Sequence, residues 1–276
     1  MTFKSSYDPA VENANLRVSK SSFTTYLRCP RQYYMDYIAL YDLEKPKSPA
    51  AARGTEIHQL LEDVMKDDTP GTYLSRLPIT ADEGIVALGE LMDFIEEDMG
   101  PDGIEIVGVE QKFSVWDDEL ACELRGIIDG IWRHPEGGLI LVELKTGNLT
   151  SSKMSRFRKE LAFYRRMLLL HPDYATEEIT HYAVIAPDCV DAKFVTSLLN
   201  QKRQTRDVYL GQIQGAAIVE PVTNRSISGM ERDLHASVDG IKNHDCPINW
   251  NEYFCTQWCD YTVSCDTELM TGVSSI

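Results

Sequence analysis

The sequence of 276 residues predicts an α/β fold with a central mixed sheet flanked by helices, and three stretches support this prediction. Residues 126–147 contain two apolar runs separated by His-Pro-Glu-Gly-Gly, a pattern typical of a β-hairpin. Residues 51–65 place apolar side chains at helical spacing. Residues 181–186 form a short apolar run of the kind found in buried strands.

The composition indicates an intracellular, cytoplasmic protein with no membrane partner. Hydrophobic residues make up 43% and charged residues 25% of the chain, which is ordinary for a globular protein. The sequence shows neither a bilayer-spanning apolar run nor the apolar segment of a signal peptide. The seven cysteines are therefore expected to be metal ligands or buried thiols rather than disulfides. Because the formal charge is −16, any nucleic-acid contact must rest on a local basic surface.

We expect the chain to form one domain, 1–276, whose segments differ in character. In order, they are a loose arm over 1–16, N-terminal helices over 17–65, a helical insertion over 66–103, a core over 104–200, and a C-terminal helix with a cysteine-bearing tail over 201–276.

Helical signals dominate the first hundred residues. Ser19 to Ser22 offer N-cap hydroxyls, and Pro30 suits the first turn of a second helix, which leaves Cys29 at the junction. The helix over 51–65 is expected to open near Gly54 and Thr55. Its predicted apolar stripe is Ile57, Leu60, Leu61 and Val64, and it places His58 and Glu62 on another face. The helical pattern from Val86 to Met99 is predicted to lie over the catalytic face.

The remaining elements alternate between strands and helices. Strands are expected over 104–115, 123–132, 139–145, 181–186 and 193–198. Helices are expected after the polar loop that begins at Asn148, and over 224–243 with Ser226 or Ser228 as its cap. Glu110 lies inside the first of these strands, and we expect it to have a structural role.

Two carboxylates and a lysine are expected on one face of the hairpin. A turn centred on Glu136 pairs Asp129 with Glu143, and because side chains alternate along a strand, both project from the same face. Lys145 lies two residues beyond Glu143 and shares that face. These three charged residues could simply form solvent-exposed salt bridges. The continuous apolar run of residues 139–142, however, indicates a strand covered on both faces. Buried carboxylates there call for ion pairs or a divalent ion, an arrangement suited to phosphodiester hydrolysis.

The helix after the hairpin adds polar and basic groups. Glu160 and Tyr164 are four residues apart and therefore share one helical face. The densest basic patch of the chain lies around them and is the local surface that a DNA strand would need. Its members are Lys153, Arg156, Arg158, Lys159, Arg165 and Arg166.

The C-terminal cysteines have the spacing of a thiolate site. In a reducing compartment, cysteines as close in sequence as Cys255, Cys259 and Cys265 indicate metal ligands. A site with three thiolates then needs a fourth ligand. Cys246 could complete a tetrahedral zinc site, or Cys29 could complete a [4Fe–4S] cluster that ties the two ends of the chain together. Cys122 and Cys189 are expected to be ordinary buried thiols.

Four motifs together resemble the RecB-like branch of the PD-(D/E)XK nuclease superfamily. Asp129, thirteen residues, and then Glu-Leu-Lys-Thr-Gly at 143–147 resemble its central signature. Cys29-Pro30-Arg31 and the cysteine tail resemble its iron–sulfur exonucleases, which include the AddB nuclease domain and the CRISPR-adaptation exonucleases. The spacing of Gly54 and His58 resembles its first metal-ligand motif. Glu160 and Tyr164 resemble its Gln-x-x-x-Tyr motif, with Glu in place of Gln.

The resemblance implies a restriction-endonuclease-like core and assigns roles to its residues. It implies that His58, Asp129, Glu143 and the Leu144 carbonyl bind Mg²⁺ or Mn²⁺, that Lys145 assists the attacking water, and that Tyr164 and the basic helix guide the strand. Glu160 adds an acidic group or alters a contact of the family Gln. The resemblance also favours Cys29 over Cys246 as the ligand that joins Cys255, Cys259 and Cys265 in the cluster, which is expected to be structural.

These observations predict a metal-dependent DNA exonuclease that acts on single-stranded or free ends in recombination, repair or spacer acquisition. The sequence contains no phosphate-binding Gly-x-x-x-x-Gly-Lys-Ser/Thr motif, so unwinding would require a helicase or another recombination or CRISPR partner. Two alternatives remain open: a non-catalytic iron–sulfur or zinc DNA-binding subunit, and a structure-selective endonuclease.

Overall fold

The computed structural model describes residues 16–39, 49–66, 83–100, 104–187, 193, 197, 206–212 and 215–272. The chain divides into two compact units. The first contains residues 1–45, 116–124 and 231–276, and the second contains residues 46–115 and 125–230. Each unit therefore draws on segments that are distant in sequence.

The first unit begins with a short strand and three consecutive helical segments. They are β1 (Arg17–Ser19), α1 (Lys20–Arg28), α2 (Pro30–Tyr33) and a π-helical turn (Tyr34–Ile38). The predicted cap is confirmed, because Ser19 accepts a hydrogen bond from the Ser22 N–H and Ser22 accepts one from the Ser19 N–H. The predicted arm over 1–16 lies outside the described residues except for Leu16, which is buried and accepts a hydrogen bond from the Glu123 N–H.

The C-terminal part of the first unit packs against these N-terminal helices. It contains helices α7 (Glu252–Trp258) and α8 (Thr262–Thr271). Met35, Tyr261 and Cys265 form a small buried cluster between the two parts. The Tyr261 hydroxyl donates a hydrogen bond of 2.6 Å to Asp36, and Arg31 forms an ion pair of 2.6 Å with Glu268. The N-terminal and C-terminal parts of this unit are thus held together by a small apolar cluster and by polar contacts that include these two.

The mixed sheet that the sequence predicts lies largely in the second unit, and two of its strands extend into residues 116–124 of the first. The strands are β2 (Glu105–Asp117), β3 (Cys122–Arg133), β4 (Leu139–Leu144), β5 (Ile179–Ala186), β6 (Asp207–Leu210) and β7 (Ala216–Pro221). Their order is β3-β4-β5-β7-β6, with β2 also pairing with β3. Strands β4 and β5 are parallel, whereas the pairs β3–β4, β5–β7 and β6–β7 are antiparallel. The predicted α/β class is confirmed.

Three long helices belong wholly to the second unit: α3 (Pro49–Lys66), α4 (Glu83–Asp98) and α5 (Ser151–Leu170). Leu88, Leu91, Met92 and Ile95 of α4 pack on the sheet face that carries Trp132, Ile140 and Val142. Glu143 alternates to the opposite face. The prediction that this helix lies over the catalytic face is therefore wrong, because its apolar stripe fills the core on the other side of the sheet.

Other expectations for the helices and strands differ from the structure or fall outside the described residues. Helix α3 begins at Pro49, before the expected start at Gly54. Its Ile57 is fully buried, while the side chains of Leu60, Leu61 and Val64 lie outside the described part. The strand expected over 193–198 falls mostly outside the described residues, and Lys193 and Ser197 are helical.

The last long helix, α6 (Asn224–Lys242), matches the expected range but has a different cap. The Thr223 hydroxyl accepts a hydrogen bond of 3.2 Å from the Ser226 N–H, so Thr223 takes the role expected of Ser226 or Ser228. Within the described part of the chain, no helix combines the length and apolarity needed to cross a bilayer.

Candidate active site

The hairpin of β3 and β4 has the predicted register. Ile131 pairs with Leu141 and Arg133 with Leu139. The same ladder places Asp129 beside Glu143 at the far end of the strands. Asp129 is 6% exposed and Glu143 is completely buried, while the residues of the apolar run 139–142 are buried on both faces. The prediction of two buried carboxylates at one end of the hairpin is thus confirmed.

Asp129 joins a compact group of possible metal ligands. Its Oδ2 accepts a hydrogen bond of 2.7 Å from the Leu144 N–H, and its Oδ1 lies 3.9 Å from His58 Nδ1. His58 Nδ1 lies 3.3 Å from Glu110 Oε1. One ligand atom from each of His58, Glu110 and Asp129 lies within 4.8 Å of the other two, which holds for no other group of three among the described residues. Imidazole nitrogen and carboxylate oxygen are donors that suit Mg²⁺ or Mn²⁺.

Glu110 lies in the site although the sequence assigned it no part there. The structure brings its carboxylate beside His58 and Asp129, and the structural role expected for it stays a prediction. Glu110 adopts a φ of 47° within β2, which is unusual for a residue other than glycine in a strand. The available signal was an acidic residue in the strand preceding the hairpin, since consecutive strands of a meander are neighbours.

The acidic neighbours of His58 control its charge. Burial by itself would lower the pKa of His58, but the hydrogen bond to Glu110 and the charges of Asp129 and Glu110 outweigh burial and raise that pKa. The protonated imidazole is therefore favoured while the carboxylates have no other counter-ion. A cation that binds to the Nδ1 atom of the protonated His58 imidazole must displace its proton, so cation binding and proton release are coupled.

Lys145 lies between two buried carboxylates. Its Nζ donates a hydrogen bond to Glu143 Oε1 and lies 3.6 Å from Glu160 Oε2. The same ammonium lies 5.5 Å from the centroid of the Phe157 ring, within cation–π range. The Lys145 backbone N–H donates to the Ile185 carbonyl at 2.8 Å, which anchors the residue to β5. Glu143 therefore contacts Lys145 and is not a member of the group formed by His58, Glu110 and Asp129.

Tyr164 of α5 closes the buried side of the site. Its ring is 1% exposed. Burial, followed by the charges of Glu143, Asp129, Glu160 and Glu110, raises the pKa of Tyr164 far above its ordinary value. The side chain is therefore a neutral phenol at any physiological pH. An added Cβ at Gly126 would lie 2.6 Å from Tyr164 Cε1, so only glycine leaves room for this ring.

The basic residues of α5 have different environments. Arg158 makes a bidentate ion pair with the buried Glu220, with 2.9 Å between Nη2 and Oε2. Lys153 donates to the Asn148 carbonyl at 2.7 Å. Arg156, whose side chain is 54% exposed, lies 3.3 Å from Glu160. The DNA-binding role of these residues, and of Lys159 and Arg165, stays a prediction.

The cysteines of the predicted cluster all belong to the first unit. Cys29 is an extended residue between α1 and α2, Cys255 lies in α7, and Cys265 lies in α8. Burial, followed by the charges of Cys259, Cys29 and Cys255, raises the pKa of Cys265 to about 11. Burial is also the largest of the effects that raise the pKa of Cys246 to about 11. Cys29 is the one cysteine whose charge is among those effects.

The six described cysteines are free thiols, and Cys189 lies outside the described residues. Cys122 is fully buried, as predicted. Among the described residues, no three cysteine sulfur atoms lie within 4.8 Å of one another. A tetrahedral zinc site with Zn–S bonds of about 2.3 Å would bring its sulfur atoms to about 3.8 Å. The sulfur atoms are therefore more widely spaced than a single zinc ion requires.

Buried carboxylates, a lysine and an imidazole at the end of a mixed sheet form a site whose chemistry suits divalent-metal catalysis. A family model for the PD-(D/E)XK nuclease superfamily matches residues 17–266. This chain belongs to that superfamily.

The individual proteins that this chain resembles have low sequence identity to it. An ATP-dependent helicase/deoxyribonuclease subunit of Streptococcus mutans serotype c is 28% identical over 156 residues, which cover 49% of this chain and 14% of that protein. This similarity agrees with the predicted RecB-like branch, although the chain matches only a small part of the relative. The crystal structure of SSO0001 is 17% identical and has a TM-score of 0.41 over 91% of this chain and 86% of that chain.

Replacing Gly126 by Ala is expected to destabilise the second unit by about 1–3 kcal/mol, because the new methyl group would overlap the buried Tyr164 ring. Urea unfolding measures this change. Gly229→Ala is the control, since a Cβ at this position in α6 meets no atom within 4 Å. Equal stability of the two variants would contradict the close contact between Gly126 and Tyr164.

Replacing Arg31 by Met is expected to lower the free energy of unfolding by about 3 kcal/mol, because it leaves the largely buried carboxylate of Glu268 without its ion pair. Thermal unfolding of metal-free protein measures the loss. Arg17→Met is the matched control, since the Arg17 side chain is 63% exposed in its pair with Glu123, and we expect a change below about 1 kcal/mol. Similar losses in both variants would contradict this role of Arg31.

Proposed function

We propose that this protein is a nuclease, specifically a metal-dependent DNA exonuclease that acts on single-stranded ends. The observation that carries the proposal is the position of Lys145 between two buried carboxylates, beside the group formed by His58, Glu110 and Asp129. The name of the streptococcal relative supports DNA as the substrate. The resemblance to exonucleases supports attack from an end.

The residues of the site have separable roles in this proposal. His58, Glu110, Asp129, Glu143 and the Leu144 carbonyl would hold Mg²⁺ or Mn²⁺, which when bound would polarise the phosphate and lower the pKa of an attacking water. Leu144 fixes Asp129 through its backbone N–H. Lys145 orients the water and offsets the charge that develops on the phosphate. Tyr164, kept neutral by burial and by the charges of Glu143 and Asp129, would line the buried side of the site.

We also propose a structural [4Fe–4S] cluster in the first unit, with Cys29, Cys255, Cys259 and Cys265 as ligands. Two observations support this choice over a zinc site completed by Cys246. Burial and, in addition, the charge of Cys29 raise the pKa of both Cys259 and Cys265, and no three of the described cysteine sulfur atoms lie within 4.8 Å of one another. Thiolates are the usual ligands of iron–sulfur clusters.

The proposed biological role is end processing of DNA in recombination, repair or spacer acquisition. The relative is named as a helicase/deoxyribonuclease subunit, which supports a helicase or another recombination or CRISPR protein as partner. A non-catalytic DNA-binding subunit and a structure-selective endonuclease are the two alternatives, and cleavage assays distinguish both from an exonuclease.

Replacing Lys145 by Ala is expected to reduce cleavage at least about 100-fold while DNA binding is retained, because stabilisation of the developing charge is lost. The assay measures release of labelled nucleotides from single-stranded DNA in Mn²⁺. Lys66→Ala, which removes an exposed lysine of α3 from its pair with Glu62, is the control. Unchanged cleavage by Lys145→Ala would contradict the assignment. Cleavage of circular single-stranded DNA would identify an endonuclease, and binding without any cleavage by wild-type protein would identify the non-catalytic alternative.

Protein purified without oxygen is expected to be brown and to contain about four iron atoms per chain, because four thiolates bind one cubane cluster. Absorption spectroscopy and elemental analysis measure this. Cys29→Ser should lose the iron, and Cys122→Ser, which changes a buried thiol outside the proposed ligand set, is the control. A colourless protein that contains zinc and still cleaves DNA would overturn the cluster and retain the nuclease.

A further inference from the structure

Four charged side chains of the second unit form a row of alternating sign. Arg156 lies 3.3 Å from Glu160 Oε1, Glu160 Oε2 lies 3.6 Å from Lys145, and Lys145 donates to Glu143. The positions along this row differ in exposure. The Arg156 side chain is 54% exposed, the Glu160 and Lys145 side chains are 7% and 24% exposed, and Glu143 is completely buried. The row therefore connects the surface of α5 with the interior of the active site.

Lys145 has two carboxylates within reach but is bound more closely to one of them. Its Nζ donates to Glu143 and lies at the edge of ion-pair distance from Glu160. The lysine stem is flexible and its ammonium is a compact charge, so a small rotation moves it from one carboxylate to the other. The balance depends on the net charge near Glu160, because electrostatic interactions are strong at buried sites. Arg156 currently offsets part of that charge.

Glu160 is also where the sequence departs from the motif that it resembles. A Gln at this position would be neutral and would leave Glu143 as the stronger partner of the ammonium. The carboxylate of Glu160 instead competes for Lys145. Glu143 can contribute its full negative charge to a bound cation only when Lys145 is held elsewhere.

We propose that Glu160 is a positioning residue that withdraws Lys145 from Glu143 when Arg156 is engaged by a DNA phosphate. A phosphate that binds the guanidinium of Arg156 removes the counter-ion of Glu160. Glu160 then attracts Lys145, and Glu143 becomes available to the cation. The inference rests on the proposed function, since it concerns the same divalent-metal site, and it adds a link between substrate contact and metal affinity.

The test is a double-mutant cycle on Mn²⁺ affinity, measured by calorimetry without DNA in the background of Arg156→Met, where Glu160 has lost its pairing with Arg156. Glu160→Gln is expected to weaken Mn²⁺ binding about tenfold, because Lys145 then stays on Glu143. In the background of Lys145→Met, the same substitution should change the affinity less than about twofold. Glu177→Gln removes a carboxylate that is ion-paired with Arg133 and is the matched control, with no expected change.

A second cycle tests the surface end of the row. Arg156→Met mimics the loss of the counter-ion and is expected to tighten Mn²⁺ binding several-fold, but less than about twofold in the background of Glu160→Gln. Thermal unfolding of each variant confirms that the affinities belong to folded protein, and Glu160→Gln is close to isosteric.

The outcomes separate this inference from the proposed function. Equal weakening by Glu160→Gln with and without Lys145 would overturn the inference, because Glu160 would then act on the metal without Lys145. Unchanged affinity in Glu160→Gln or in Arg156→Met would also overturn it. Wild-type protein that binds no Mn²⁺ would overturn the proposed function and this inference together, whereas binding with additive effects would overturn the inference alone.

Discussion

The cost of burying negative charge is the constraint on which the active site depends. Asp129, Glu143 and Glu160 are nearly or completely buried, and Glu110 lies beside them. Isolated carboxylates in such positions would lose several kcal/mol of hydration each. The partners that offset this cost include the Lys145 ammonium, the His58 imidazole, the Arg156 guanidinium and the Leu144 N–H. In the proposed function, a divalent cation would offset more of this negative charge.

The fold provides the rigidity that this arrangement requires. Strand β4 is hydrogen-bonded on both sides, to β3 and β5, so its last residues cannot shift to relieve repulsion between carboxylates. Helix α4 fills one face of the sheet, and helix α5 supplies Glu160 and Tyr164 to the other. The glycine at position 126 admits the Tyr164 ring at close range. The polar groups are therefore fixed by apolar packing on both sides of one short strand.

The sequence predicts the local elements of this site better than its long-range contacts. The hairpin register follows from the turn residues and from the alternation of side chains along each strand. The pairing of Asp129 with Glu143 could therefore be predicted from the sequence. The cap at Ser19 and the helix that bears Glu160 are likewise local. The packing face of α4 could not be predicted, because it depends on which sheet face this helix covers in the folded chain. The ion pair of Arg158 with Glu220 joins residues 62 positions apart, a separation at which no periodicity gives a signal.

The order in which the chain is synthesised has a consequence for the first unit. This unit is assembled from residues 1–45, 116–124 and 231–276, so its N-terminal helices leave the ribosome long before the segments that cover them. At about 5–20 residues per second, Cys29 waits on the order of ten seconds or more for Cys255. During this interval its thiol and the apolar side of α1 remain without their final neighbours. The second unit lies between these segments and can complete its sheet first, which makes closure of the cysteine-bearing unit a late event in biosynthesis.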